Sequence, residues 1–427
     1  MEVENMKVVT FRGIKGEMYY CAYDNKIFTS LSQIPKSDFD VNFYSNNSYE
    51  FKKINKFIIE ITQQCTMRCT YCCFSGNYSN MRTHKDVIMS QETIDYCVDF
   101  IVQHCDYSLP FFDVCFYGGE PLICFNSISY IVNKLTKIFG NKIHFTISSN
   151  GLLLKKNIVD WIFSIPDFHI NISIDGNKDM HDKYRKTINS QGSYNRIINN
   201  IKYIRSKYPN EYKERITILS TVPSVKDIDK LSNTWKYTEI PELIPEKVAI
   251  FNPNFNLPTP NLLNIKDADT FYMNAFRRFI KGEYTIATNC LLSLINLIQD
   301  RDISILNQHQ DIVTCLNEPG TCFISSNGSL YVCEKVSSNM SIGNVKEGFD
   351  LAIIKNLNSL YEQRLNLLCS QCWAFRLCQR CVINLNYSLD EQRCLCKIER
   401  GRLKLALKYY CLIKDWEKGR LLSNSQE

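Results

Sequence analysis

The chain has 427 residues, of which 45% are apolar and 12% aromatic. It is therefore long enough for a large α/β domain with a smaller partner, and too apolar for a disordered chain. Its 50 Lys and Arg residues against 44 Asp and Glu give a net charge of +6, and the positive residues form no long basic tract, which argues against nucleic-acid binding. No apolar stretch has the length of a signal peptide or a membrane span, so we expect a cytoplasmic protein that does not insert into membranes.

Short β-rich runs alternate with helical segments between residues 57 and 255. The runs predicted to be strands cover residues 57–62, 111–117, 142–151, 167–176, 215–222 and 247–254. Strands that alternate with helices of ten or more residues are typical of parallel βαβ units. The sequence therefore predicts an α/β fold, a partial parallel (β/α)6 barrel of the TIM type, with functional residues at the C-terminal ends of its strands.

The rest of the chain divides by composition. Residues 1–56 predict a short β-hairpin region that turns at "DNK". Residues 256–310 predict a helical bridge, residues 311–411 a cysteine-rich α+β domain, and residues 412–427 a C-terminal tail.

The 20 cysteines occur mostly in clusters at short spacings. A disulfide framework is not expected in a reducing cytosol, whereas metal ligation requires such spacings. The clusters are Cys65, Cys69, Cys72 and Cys73; Cys315, Cys322 and Cys333; and Cys369, Cys372, Cys378, Cys381, Cys394 and Cys396.

The first cluster, "CTMRCTYCC", directly follows the first predicted barrel strand. Cys65, Cys69 and Cys72 have the spacing C-x3-C-x2-C, which suits a loop around an iron–sulfur cube. A [4Fe–4S] cluster normally takes four thiolates, so three ligands leave one iron open to an external ligand. The alternative is a zinc ion whose fourth ligand is Cys73 or His84.

Polar residues follow the next strands. In "YGGEPL", Gly118 and Gly119 are expected to let the backbone approach a ligand closely, and Glu120 offers a carboxylate to an ammonium group. Later strands end in "SSNG" and in "SIDG", and the second is followed by Arg185.

Taken in this order, the motifs resemble the radical SAM superfamily over residues 57 to about 255. The resemblance implies that Cys65, Cys69 and Cys72 hold a [4Fe–4S] cluster whose open iron binds S-adenosylmethionine (SAM). It also implies that Glu120 binds the amino group of SAM, and that Ser173 and Arg185 bind its carboxylate and ribose.

The C-terminal cysteines resemble a SPASM domain, which holds two auxiliary [4Fe–4S] clusters. The run "CSQCWAFRLCQRC" has two residues before its last cysteine where the family pattern has three. The bare C-x2-C spacing is also compatible with zinc ribbons. By motif position, the first auxiliary cluster is held by Cys315, Cys322, Cys333 and Cys381, and the second by Cys369, Cys372, Cys378 and either Cys396, which we prefer, or Cys394.

Within this superfamily the chain looks most like the maturases of ribosomally made peptides. The resemblance implies a 5′-deoxyadenosyl radical that installs a crosslink, a Cys thioether, in a precursor peptide with a leader, and the hairpin at 1–56 is a possible partial leader-recognition element. Glu334, next to a cluster ligand, is the candidate proton acceptor; alternatively it is a surface carboxylate. The expected electron donor is a flavodoxin or a ferredoxin.

Two other functions are compatible with the sequence. One is an anaerobic sulfatase-maturating enzyme that forms formylglycine. The other, of a different class, is a non-catalytic iron–sulfur or zinc protein, which would leave the "YGGEPL" and "SIDG" segments without a role.

Overall fold

The computed structural model of the chain describes residues 8–13, 16–35, 41–45, 48–51, 53–78, 83–250, 265–379 and 381–424. It is a mixed α/β structure with one large, mostly parallel sheet, which confirms the predicted fold class. Within the described residues, none of the helices combines the length and the apolar character needed to cross a bilayer.

Six parallel strands stand next to one another in chain order. They are β5 (Lys56–Thr62), β6 (Phe112–Gly118), β7 (Ile143–Ser149), β8 (Phe168–Ser173), β9 (Ile216–Val222) and β10 (Lys247–Ile250). The helices between them are α1 (Gln91–His104), α2 (Phe125–Phe139), α3 (Lys156–Ser164), α4 (Lys178–Tyr184), α5 (Tyr194–Lys207), α6 (Pro209–Arg215) and α7 (Val225–Thr234). The last predicted strand ran to residue 254, and its end lies outside the described residues.

The two faces of this sheet differ in side-chain chemistry. On the face covered by helices, which we call the outer face, Phe57 contacts Phe100 of α1 and Phe168 contacts Trp161 of α3. The alternate positions, which we call the inner face, carry half-buried polar residues such as Thr146 and Ser148. Strand geometry places successive side chains on opposite faces, so strand register assigns each residue to one face.

The N-terminal region is a small antiparallel sheet of β1 (Val8–Gly13), β2 (Gly16–Cys21) and β3 (Lys26–Phe28). The β2–β3 pair is the expected hairpin, with Cys21 opposite Lys26, and β1 adds a third strand. A further strand, β4 (Asn42–Ser45), pairs in parallel with β11 (His309–Ile312).

The N-terminal region is fastened to the cysteine-rich part of the chain. The Arg376 guanidinium donates to the backbone carbonyls of Ser304, at 2.6 Å, and of Tyr23, at 3.3 Å. The ring of Tyr20 packs edge-on against Trp373. The hairpin is therefore anchored beside the "CWAFRLC" segment.

The cysteine-rich part continues the large sheet. Its strands are β12 (Thr321–Ile324), β13 (Ser329–Tyr331), β14 (Gly343–Asn344) and β15 (Gly348–Phe349). β12 pairs in parallel with β5, so that the sheet order is β10-β9-β8-β7-β6-β5-β12-β13-β14-β15. The flanking helices are α8 (Ile265–Ile280), α9 (Ile286–Gln299), α10 (Leu351–Cys369) and α11 (Leu389–Asn424).

The C-terminal tail predicted at 412–427 differs from the structure. α11 continues to Asn424, because Leu412 and Ile413 are buried against the core and extend its apolar face. Residues 425–427 lie outside the described residues.

Two glycines at the end of β6 allow backbone segments to touch. A Cβ atom on Gly118 would lie 2.1 Å from the Thr62 carbonyl oxygen, and one on Gly119 would lie 2.1 Å from the Gln64 carbonyl oxygen. The Gly119 amide donates to Thr62 at 2.9 Å. The close approach of β6 to the start of the cysteine loop therefore requires glycine at both positions, and their predicted ligand-binding role stays a prediction.

We predict that Gly118→Ala destabilises the protein by about 3 kcal/mol or more, because it adds a backbone clash to a positive φ of 134°. The control is Gly320→Ala, where the backbone has no positive φ and the added Cβ would lie 3.6 Å from Asn55 Oδ1, an ordinary van der Waals contact. That change should alter stability by about 1 kcal/mol or less. Anaerobic thermal unfolding measures both, and equal midpoints for the two variants would contradict the assignment.

Candidate active site

The cysteine loop lies across the C-terminal ends of the parallel strands. It leaves β5 at Thr62 and is held in place by residues 184–188, which follow α4. The Thr70 amide donates to Tyr184 at 3.0 Å and the Arg68 amide to Lys186 at 2.8 Å. These backbone bonds fix the loop at the edge where the strand order predicts a functional site.

Each of the three cysteine sulfurs in the loop has a nitrogen neighbour. The Met67 amide is 3.4 Å from Cys65 Sγ, and Asn150 Nδ2 is 3.8 Å from the same sulfur. Arg185 Nη1 is 3.9 Å from Cys69 Sγ. For Cys72 the neighbour is His84 Nε2, at 3.5 Å, and a cavity of about 460 Å³ opens beside this part of the loop.

The loop disfavours thiolates unless a cation compensates them. Burial raises the pKa of Cys65 to about 12 and that of Cys69 to about 11. The pKa of Cys72 is raised first by a hydrogen bond with Cys73 and then by burial. Iron ions supply the missing positive charge, so these residues fit a bound cluster.

Zinc was the alternative for this loop. Within the residues that the structure describes, no three His, Cys, Asp or Glu side chains converge on a position for a single metal ion. In a [4Fe–4S] cluster each cysteine binds a different iron, so its ligands need not converge on one point.

Glu120 is enclosed at the end of β6. Its Oε1 accepts from the Ser149 hydroxyl at 2.9 Å and from the Leu122 amide at 3.2 Å, and its Oε2 accepts from the Asn150 amide at 2.8 Å. Burial nevertheless raises the pKa of Glu120 to about 7. A carboxylate offers about four acceptor positions, so the group retains capacity for one more donor.

A buried ion pair stands beside the loop. Arg185 Nε donates to Asp175 Oδ2 at 2.9 Å, and the Tyr71 hydroxyl donates to the same oxygen. The Thr221 amide donates to the other Asp175 oxygen at 2.8 Å. Asp175 therefore links the loop, through Tyr71, to the ends of β8 and β9, while Ser173 ends β8 on the inner face.

Behind this pair a histidine is held neutral. Burial lowers the pKa of His181 to about 3. Its Nδ1 accepts from the Asp175 amide at 3.3 Å, and its Nε2 lies 2.9 Å from Ser193 Oγ, which donates in turn to the Arg185 carbonyl. This chain of bonds fixes the backbone on both sides of the ion pair.

The C-terminal cysteines form two groups. In the second group, the pKa of Cys378 is raised to about 12 by burial, then by Glu399 and by Cys369, Cys372 and Cys396. The thiol of Cys396 is partly buried and also neighbours Cys372, whereas Cys394 is exposed. The geometry thus brings Cys396, and not Cys394, to this group.

Three of the four cysteines predicted for the first group act on one another electrostatically. Burial raises the pKa of Cys315 to about 12, with smaller contributions from Cys381 and Cys333. Cys322, the fourth residue predicted for this group, is fully buried. Its pKa is raised by burial and then by the charge of Cys97 of α1. This placement does not support the prediction for Cys322.

Glu334 follows Cys333 of the first group and acts electrostatically on the inner face of the sheet. It is half-buried, and its charge contributes to the raised pKa of Cys115, which is dominated by burial and reaches about 11. Cys115 is an inner-face residue of β6, opposite Thr146 of β7. The charge of Glu334 therefore acts on the inner face of the sheet.

Several residues of the site were not assigned from the sequence. Asp175 and Asn150 stand inside the quoted "SIDG" and "SSNG" segments, so their positions after strands were the available signal. From the sequence, His84 was considered only as a ligand of the alternative zinc ion. Its Nδ1 lies 3.1 Å from the Gln63 carbonyl, and no spacing in the sequence indicates that contact.

The site has a parallel α/β sheet whose first strand leads into a three-cysteine loop, with an enclosed Glu and a paired Arg at the following strand ends. This arrangement resembles that of a radical SAM domain. Residues 59–230 match the Radical SAM superfamily. Such a domain implies SAM and a [4Fe–4S] cluster.

The chain is similar to two named relatives. It is 28% identical over 351 residues to the cysteine-type anaerobic sulfatase-maturating enzyme of Clostridium novyi (strain NT). The alignment covers 77% of this chain and 87% of the relative. The enzyme of the same name from Clostridium perfringens (strain 13 / Type A) is 22% identical over 373 residues, covering 81% and 90%.

The fold is shared with a solved structure. Native anSMEcpe with bound AdoMet and Cp18Cys peptide superposes with a TM-score of 0.59 at 18% identity, covering 85% of this chain and 99% of the other.

We predict that Asp175→Asn lowers the free energy of unfolding by about 3–5 kcal/mol, because it leaves the buried Arg185 without a counter-charge. The Asp175 side chain is 1% exposed and that of Arg185 is 10% exposed. Asp390→Asn, which removes the exposed pair with Arg393, should change stability by less than about 0.5 kcal/mol. Anaerobic urea denaturation compares them, and a mild effect at Asp175 would refute its anchoring role.

Proposed function

We propose that the chain is a radical SAM maturase that oxidises a cysteine-containing precursor peptide and joins the cysteine sulfur to carbon in a thioether crosslink. The observation that carries this proposal is the shared sheet. β5 leads into the three-cysteine loop and pairs with β12 of the cysteine-rich part, and the charge of Glu334 acts on Cys115 of the inner face that the radical SAM site adjoins.

In this proposal Cys65, Cys69 and Cys72 hold the SAM-binding cluster. Glu120 accepts the amino group of SAM, whose positive charge would offset the burial of the carboxylate. Ser173 and Arg185 bind the carboxylate and ribose of SAM, and Asp175 orients Arg185. When reduced and bound to SAM, the cluster supplies a 5′-deoxyadenosyl radical that removes hydrogen from the substrate.

The C-terminal groups hold the auxiliary clusters, making three [4Fe–4S] clusters with the first. Cys369, Cys372, Cys378 and Cys396 hold one, and the group of Cys315, Cys333 and Cys381 holds the other. An auxiliary cluster suits a reaction whose substrate must lose a second electron. Glu334, at the inner face, accepts the proton released from the substrate.

The proposed partners are a precursor peptide with a leader and a flavodoxin or ferredoxin as electron donor. Strand addition at an edge of the N-terminal sheet is a route for leader binding. The half-buried polar residues of the inner face, including Thr146 and Ser148, provide hydrogen-bonding groups for an extended peptide.

A second candidate is the conversion of a cysteine to formylglycine. The similarity to cysteine-type sulfatase-maturating enzymes over most of both chains favours it. Both reactions use the same radical chemistry on a cysteine-containing substrate, so they differ in the product. A non-catalytic iron–sulfur protein leaves the remaining acceptor capacity of the enclosed Glu120 carboxylate without a role.

We predict that replacing Cys65, Cys69 and Cys72 together by Ala removes about a third of roughly twelve irons and abolishes SAM cleavage. Iron analysis and chromatography of 5′-deoxyadenosine after dithionite reduction measure the two effects. Cys73→Ala is the matched control in the same loop and should preserve both. Continued 5′-deoxyadenosine formation by the triple variant would disprove the assignment.

The product experiment separates the two candidates. The cognate peptide, treated with the reconstituted protein and SAM, should lose about 2 Da per crosslink, the mass of two hydrogens, and its cysteine should no longer react with iodoacetamide. An aldehyde at the cysteine would establish formylglycine instead. A 2 Da loss with the thiol still reactive would exclude the thioether.

A further inference from the structure

We infer that Glu399 and Arg402 are positioning residues for the second C-terminal cysteine group: their ion pair sets the local charge, and through it the reduction potential of the cluster that this group would hold. The inference rests on the proposed function, because it takes the group to bind a [4Fe–4S] cluster. Neither residue is assigned as a ligand.

Helix α11 places the ion pair beside the group. Cys396 lies on α11, Glu399 follows three residues later and Arg402 three residues after that. Residues three apart are neighbours on a helix surface. The Arg402 guanidinium donates through Nε to Glu399 Oε2 at 2.8 Å and through Nη2 to Oε1 at 2.6 Å. Two parallel hydrogen bonds fix the orientation of both side chains.

The Glu399 carboxylate acts on two thiols of the group. After burial it makes the largest contribution to the raised pKa of Cys378, ahead of the other three cysteines of the group. It also contributes to the raised pKa of Cys396, on which Arg400 acts in the opposite direction. A carboxylate beside thiolates disfavours further negative charge, so an uncompensated Glu399 would oppose the reduction of a cluster at this position.

Arg402 supplies the compensating cation. Burial disfavours the charged guanidinium, but the hydrogen bonds and the charge of Glu399 outweigh burial and raise the pKa of Arg402. Arg402 also borders a cavity of about 420 Å³ between β10 and the helices α8 and α9. Tyr272 and Cys290 in the wall of this cavity stay neutral at pH 7, because burial raises their pKa values to about 12 and about 11. Glu399 is therefore the anion whose oxygens Arg402 contacts.

The two charges have opposite effects on electron uptake. Four thiolates already make a [4Fe–4S] cluster negative, and reduction adds one more electron, so nearby charges shift the reduction potential. Glu399 without Arg402 would lower the potential, and Arg402 without Glu399 would raise it. In the proposed function, an auxiliary cluster is reduced by the electron that the substrate loses. The pair thus adjusts how readily the second auxiliary cluster accepts that electron.

A redox titration followed by electron paramagnetic resonance tests the inference. The protein used carries Cys65→Ala, Cys69→Ala and Cys72→Ala, so that the two auxiliary clusters titrate without the SAM-binding one. Arg402→Met should lower the reduction potential of one cluster, and Glu399→Gln should raise it. Each change should alter the equilibrium constant for reduction about tenfold, or about 59 mV for one electron. The other auxiliary cluster is the internal reference and should not shift.

Two controls separate charge from structure. Arg393 and Asp390 form an exposed ion pair on the same helix with the same three-residue spacing, so Arg393→Met and Asp390→Asn should shift neither cluster. The double variant of Glu399→Gln and Arg402→Met removes both charges, and its potential should lie close to that of the unchanged pair. Every variant should keep roughly eight irons in this background.

The outcomes distinguish the inference from the proposed function. Unchanged potentials in both single variants, shifts of the same sign in both, or loss of about four irons from either would overturn the inference, because the pair would then serve the structure of α11 alone. Those results would leave the proposed function intact. If no cluster titrates even when Glu399 and Arg402 are unchanged, the cluster assignment in the proposed function fails, and this inference fails with it.

Discussion

Strand β5 is hydrogen-bonded along both edges, to β6 on one side and to β12 on the other, and the site depends on this double pairing. The cysteine loop begins where β5 ends, so the same strand positions the loop against Glu120 and against the cysteine-rich hairpin. Glu60, buried on β5, accepts hydrogen bonds from Ser326 in the turn after β12. One strand thus sets the relative position of the radical SAM site and the first C-terminal cysteine group.

Around β5 and its two neighbouring strands, the site brings together groups whose burial is energetically unfavourable. The Glu120 carboxylate, the Arg185 guanidinium and the loop thiols all lose hydration. Each has a specific hydrogen-bonding or charged partner, or space in which such a partner can bind. Arg185 has Asp175, and Glu120 has two amides and a hydroxyl. The thiols, by contrast, gain only weak contacts from nitrogen neighbours. In the proposed function, bound iron balances their charge, which links metal loading to the order of the loop.

The alternating strands and the cysteine loop could be predicted because they repeat at short range. Apolar β-rich runs bounded by polar turns identified β5 to β9 within a few residues. Other features depend on contacts between distant segments. The spacing of Cys322 matched a motif, but the face of β12 on which it lies is set by pairing with β5, which no local pattern encodes. For the same reason the close approach of Gly118 to the Thr62 carbonyl and the partnership of Asp175 with Arg185 and Tyr71 were not predicted.

The central claim is that the three-cysteine loop holds a cluster with an iron open to SAM. The most direct measurement is the electron paramagnetic resonance spectrum of the reduced, anaerobically reconstituted protein before and after SAM is added. SAM should change the spectrum of the native chain and have no effect on a chain whose loop cysteines, Cys65, Cys69 and Cys72, are replaced by Ala. A native spectrum that SAM leaves unchanged would contradict it.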